Sequence, residues 1–247
     1  MKNYKDYFIY GDGFSYPEYL EKIVGIIVDE YEALGCRFDD RTHRILPTDG
    51  SHPTFFPSDG RIVLSFRRCS LWCKVIYQTA HELTHLFMNS HLPDQNKHAS
   101  WVEEIVCEAA TLCFLHYFAN NWRVYGSRVR RLSRCNPGYA SAVTEYLEDA
   151  LADYRADASR ASAHLSDFTT YGELLRHNVA ASEAREVHAA EVLRLYSVLS
   201  LRELAALIRY RDYLLPGKVL LDEDAYLAAY PCDSVRTLLS FQKKIVR

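Results

Sequence analysis

His81-Glu82-Leu83-Thr84-His85 constrains this chain more tightly than any other stretch of it. Two histidines four residues apart share one face of an α-helix, roughly 6 Å apart along its axis, so both rings can reach a single ion. Neutral imidazole is a good zinc ligand. The glutamate between them falls beside a water at the metal rather than on the metal itself. The five residues therefore ask for a helix and point to the core of a metal-dependent hydrolase. The plain alternative is a core helix carrying two surface histidines.

The flanks favour the helix. Leu71, Val75, Ile76, Thr79, Leu83 and Leu86 recur at helical spacing and can face a core. Neither proline nor glycine interrupts Ser70 to Ser90, and Pro93 follows where a helix would have ended. Upstream, Arg61-Ile62-Val63-Leu64-Ser65-Phe66 reads as a short strand after the turn signal Pro57-Ser58-Asp59-Gly60. The expected order is strand, then motif helix. If that strand lies at a sheet edge, an extended peptide can pair with Ile62 to Phe66.

A catalytic zinc site needs a third protein ligand and an open position. Ser100 and Glu103 fit an S-x-x-E capping box that would start a helix at Trp101, running to about Phe118. Capping occupies Glu103 and leaves Glu104 pointing elsewhere, with Glu108 one turn beyond on the same face. Glu103 is the closest competitor, because a helix register read from sequence can slip by one. His91 and His98, in the loop between the two helices, are further rivals.

Eighteen residues separate His85 from Glu104, and here the chain resembles the gluzincin metallopeptidases, the thermolysin-like and zinc-aminopeptidase group. In that group a ligand Glu follows HExxH on a second helix. A Trp often stands three residues before it and an acidic residue four after, as Trp101 and Glu108 stand about Glu104. The resemblance implies that His81, His85 and Glu104 hold Zn2+, that Glu82 is the general base, and that Glu108 orients a ligand histidine. It covers about residues 61–118. Ile105 replaces the family's usual Gly, no Gly-x-Met-Glu-Asn exopeptidase motif lies upstream, and the metzincin HxxGxxH extension is absent. The family also places an oxyanion-stabilising Tyr or His well downstream of the ligand Glu. Tyr171, 67 residues after Glu104, stands at a similar separation, with His177 and Tyr139 as further candidates.

The whole chain is compatible with an enzyme of this kind. Its 247 residues, 49% apolar and 25% charged, suit one sizeable domain, or a catalytic unit with a helical extension. A net charge of −3 gives no sign of nucleic acid or an anionic membrane as partner. The N-terminus lacks a signal-peptide core, and no run approaches a membrane span, so a cytoplasmic protein is expected. Seven cysteines without a scaffold rhythm or close CxxC pairs read as reduced thiols. The five arginines between Arg123 and Arg134 fit a solvated face better than a phosphate patch, and the 18 scattered tyrosines read as packing residues.

Ser15-Tyr16-Pro17-Glu18 reads as a helix start, with the helix ending near Gly35. Short strands punctuate residues 36–66. Beyond Leu71 helical patterns cover about 139–163, 183–199 and 201–215, with capping boxes at Thr170-Glu173 and Ser200-Glu203. Asn136-Pro137-Gly138 is the clearest break. The expected fold is α+β, predominantly α. A zincin-like core over residues 1–135, with a small N-terminal sheet, motif helix and ligand helix, would precede a helical region over 136–247. The expected function is zinc-dependent hydrolysis of a peptide or protein substrate. The alternatives are a non-catalytic metal-binding or helical interaction protein, and a hydrolase of a non-peptide amide.

Overall fold

The computed structural model describes residues 6–37, 41–50, 52–90, 98–128, 138–161, 163–181 and 185–245, with backbone alone for 123–128 and 185–186. Among the described residues the protein is predominantly helical, with one small four-stranded sheet. It divides into two compact units, each discontinuous in sequence. One comprises residues 1–91 and 114–147, the other 92–113 and 148–247. The Asn136-Pro137-Gly138 break lies outside the described residues up to Gly138, which opens a helix.

The first unit holds the sheet, made of β1 (Phe8–Tyr10), β2 (His43–Pro47), β3 (Thr54–Phe56) and β4 (Arg61–Leu64) in the order β1-β2-β4-β3. β1, β2 and β4 run parallel, and β3 returns antiparallel to β4. Side chains alternate across the strands, so Phe8, Ile45, Phe55, Ile62 and Leu64 are buried while Arg44 and Thr54 face out. β4 is shorter than expected from the sequence. It is also interior, because β2 occupies one of its edges and β3 the other. The peptide pairing anticipated on Ile62 to Phe66 is therefore unavailable, and β3 forms the edge on that side. The turn before β4 closes at Gly60, whose φ of 68° suits a residue without Cβ. An added Cβ there would also meet His43 Nδ1 at 2.8 Å.

Two helices of the first unit pack together: α1 (Pro17–Ala33) and α2 (Trp72–Ser90), the second carrying the motif. Pro17 sits at the first position of α1, where its missing N–H costs nothing. Ser15 does not cap that helix; its backbone bridges to the Arg67–Cys69 segment instead. Along α2, Val75, Ile76, Thr79, Leu83 and Leu86 are buried as their spacing predicts, whereas Leu71 precedes the helix and is half exposed. Tyr31 of α1 bonds Thr84 Oγ1 at 2.6 Å, and its ring lies 4.3 Å from that of Phe87. The strand-to-helix connection is fastened too. The Ser65 N–H donates to Gln78 Oε1 (2.9 Å), and Gln78 Nε2 donates to Ser65 Oγ (2.5 Å). Gln78 lies one turn before His81, so this amide fixes α2 where the histidines begin.

α3 (Ser100–Arg128) begins in the second unit and ends in the first; α4 (Gly138–Arg160) follows. The second unit continues with α5 (Tyr171–Ala180), α6 (Ala189–Tyr196), α7 (Leu204–Ile208), α8 (Glu223–Ala229) and α9 (Asp233–Ser240), joined by short 3-10 turns. The pattern anticipated over 201–215 thus resolves into two 3-10 turns around a five-residue helix rather than one long one. The box at Thr170 is as expected. Its hydroxyl accepts from the Glu173 N–H (3.3 Å), and the Glu173 carboxylate accepts from the Thr170 N–H (2.8 Å). Thr170→Ala should cost about 1 kcal/mol of stability, read as a lower urea midpoint at an unchanged slope.

Candidate metal centre

The helix period brings His81 and His85 to one face of α2, with Nε2 atoms 3.1 Å apart and ring centroids 4.8 Å apart. The Asn89 amide donates to the His85 carbonyl at 2.8 Å, within the last turn. Glu82, between the two, is buried. One ligand atom each of His81, His85 and Glu104 lies within 4.8 Å of the others, and all three residues are half-buried. This is the one such group of three or more among the described residues.

Two imidazole nitrogens and a carboxylate oxygen are donors that could hold a metal ion.

Glu104 stands out on its own helix. From Ala99 to Leu115 every residue is buried except Glu104. A helix apolar on nearly all sides is a core helix, and the one half-exposed side chain in its buried stretch is a carboxylate. Its neighbour Glu103 has a different environment. Its carboxylate accepts from Arg211 Nη2 (2.7 Å) and from the Tyr210 hydroxyl (3.0 Å), and His98 Nε2 lies 2.8 Å away. Burial works to lower the Arg211 pKa, but Glu103 and Tyr210 outweigh it and hold the guanidinium above its usual range. The capping role expected of Glu103 is thus superseded by a buried ion pair. α3 begins at Ser100, with the Val102 and Glu103 amides donating to the Ala99 carbonyl.

The remaining candidates are placed as follows. Glu108 is buried and accepts a short hydrogen bond from the Tyr154 hydroxyl. The Tyr171 hydroxyl accepts from the Val219 N–H (3.2 Å), and the carbonyl of the same Val219 accepts from Trp101 Nε1 (2.8 Å). Tyr139 packs against Trp72 and Trp122. His98 is engaged with Glu103, and His91 lies outside the described residues. The side chains of the arginine run from Arg123 also lie outside them. Burial pushes the Cys69 thiol up to about 11 and the Cys113 thiol up to about 12, which keeps both protonated and unreactive. No disulfide joins the described cysteines, and none of the described helices is long and apolar enough to cross a membrane.

Tyr154, Tyr210, Arg211 and Asn178, whose side-chain oxygen accepts from the Trp101 N–H at 3.2 Å, were not legible as site-supporting residues. All are remote in sequence from α3, and each by itself resembles an ordinary helix residue. Comparison of the chain with family models, curated proteins and solved structures finds no match.

His177 is buried against Phe168, ring centroids 5.4 Å apart. Desolvation, helped by nearby His188, pushes its pKa down to about 4. The folded protein therefore binds this proton less readily than the unfolded chain. The stabilisation is complete above pH 6.5 and is lost as pH falls from about 6.5 to 4, to the extent of about 3 kcal/mol. Urea midpoints measured across that range should fall more steeply for wild type than for His177→Gln.

Proposed function

We propose that this protein is a zinc-dependent hydrolase of peptide bonds, built on a zincin-like core of the gluzincin type. The observation that carries the reading is the convergence of His81, His85 and Glu104 on one point, with Glu82 next to a ligand in sequence. A purely structural zinc site has no use for that fourth residue.

A bound zinc ion would supply Lewis acidity, bringing the pKa of a water molecule to about 7 and polarising the scissile carbonyl. His81 and His85 would hold the ion through Nε2, on a helix fastened by the Gln78 and Thr84 hydrogen bonds, and Glu104 would be the third protein ligand. Glu82 takes the proton from the attacking water and delivers it to the leaving amine. Its burial strengthens this transfer by excluding bulk water. Substrate backbone is taken up along β3, the outer strand, which packs on α2. By the same resemblance Tyr171 would stabilise the developing oxyanion; its hydroxyl accepts a hydrogen bond from the Val219 N–H.

Metal analysis and peptide cleavage on three proteins test the reading. Wild type should carry zinc and cleave. Glu82→Gln should keep zinc and lose about 10²–10⁴ in rate, since Glu82 is not a ligand. Glu104→Ala should lose zinc. An unchanged cleavage rate in Glu82→Gln would overturn the mechanism. Wild type that holds zinc but cleaves no member of a broad peptide library would instead be a metal-binding protein without turnover.

A further inference from the structure

We propose that Arg211, with Tyr210, is a positioning residue for the metal centre: by gripping Glu103 it fixes the rotation of α3 that presents Glu104, rather than Glu103, to the metal. This inference rests on the metal-binding reading above. Two adjacent glutamates are chemically equivalent as ligands. On a helix they point about 100° apart, so a rotation of one residue would exchange them. Both follow Trp101-Val102, and a helix register slipped by one would exchange them.

The decision is made from 108 residues away. Arg211 is buried, as is Glu103, and Nη2 meets Oε2 at 2.7 Å. Arg211 Nε also donates to the Tyr210 hydroxyl (3.1 Å), which donates to the same Oε2 (3.0 Å). The guanidinium is thus held by a flanking hydroxyl and cannot follow Glu103 round the helix. Turning Glu103 outward would strand a buried cation, which is strongly destabilising. Trp101, bonded through its N–H to Asn178 and through its indole to Val219, fixes the same turn along the axis. Glu104 is left as the one carboxylate of that turn able to swing towards His81 and His85.

Replacing Glu103, Tyr210 and Arg211 together by apolar residues, with the half-exposed His98 left to solvent, separates position from stability. A buried ion pair exchanged for well-packed apolar side chains commonly leaves stability intact, provided no polar partner is orphaned. The variant is therefore Glu103→Met with Tyr210→Phe and Arg211→Met, compared with wild type and with the conservative Arg211→Lys. Each is titrated with Zn2+ against a chelator of known affinity, and the visible spectrum of the Co2+ form reports the donors around the metal. The metal-free melting temperature reports the fold. The triple variant should melt within a few degrees of wild type yet bind Zn2+ about 10–100-fold more weakly, with an altered Co2+ spectrum. Arg211→Lys, which keeps the charge and loses the fork, should fall between. Unchanged Zn2+ affinity and Co2+ spectrum in a folded triple variant would overturn the proposal. Should the triple variant fail to fold, wild-type affinity and spectrum in Arg211→Lys would overturn it equally. Wild type that takes up neither metal would sink the metal-binding reading itself, and the positioning role with it.

Discussion

A carboxylate taken out of water needs a partner, and in this protein Glu103 finds a cationic one in Arg211. That pairing governs more than its own energy. α3 is apolar on almost every side, so hydrophobic burial holds it in the core but says little about its rotation. Leucine and alanine on one face pack nearly as well as on the next. A directional, buried ion pair discriminates between rotations where apolar contacts do not. Once Glu103 is committed, Trp101, Glu104 and Glu108 each have a single available direction. Trp101 turns to Val219, Glu108 to Tyr154 and Glu104 to the motif histidines.

The motif helix relies on a different device. α2 faces its core with well-spaced aliphatic residues, and its rotation is legible from periodicity alone. The polar fastenings at Gln78 and Thr84 sharpen a placement that packing already supplies. The two histidines lie on one face of this helix, with their Nε2 atoms 3.1 Å apart.

What was legible in the sequence follows the same division. The motif helix, the Gly60 turn, the Thr170 cap and the start of α1 at Pro17 all arise from interactions within a few residues, and local pattern reveals them. Glu104 was reachable too, through helix geometry applied to the Trp101–Glu108 stretch. β1 escaped notice because three residues cannot display an alternation; Phe8 to Tyr10 form a strand only because β2 offers them a partner. The interior position of β4 depends on which strands flank it, and no strand carries that information itself. Ser100, three residues away, points Glu103 to a cap, whereas its partner Arg211 lies 108 residues on. Short-range chemistry suggested one role and long-range chemistry took precedence.

The interleaving of the two units along the chain bears on how the protein is made. The first unit draws on residues 1–91 and then on 114–147, with a segment of the other unit between them. A ribosome adding about 5–20 residues per second needs roughly 3–11 s to pass from residue 91 to residue 147. During that interval α1 and α2 exist without the residues that cover them. Tyr31 lacks Phe114 and Trp72 lacks Trp122, their ring partners in the finished unit. Large aromatic surfaces wait in water for sequence not yet synthesised. The chain thus emerges with a built-in delay between forming its motif helix and sealing it, and the yield of folded protein depends on what shields those rings meanwhile.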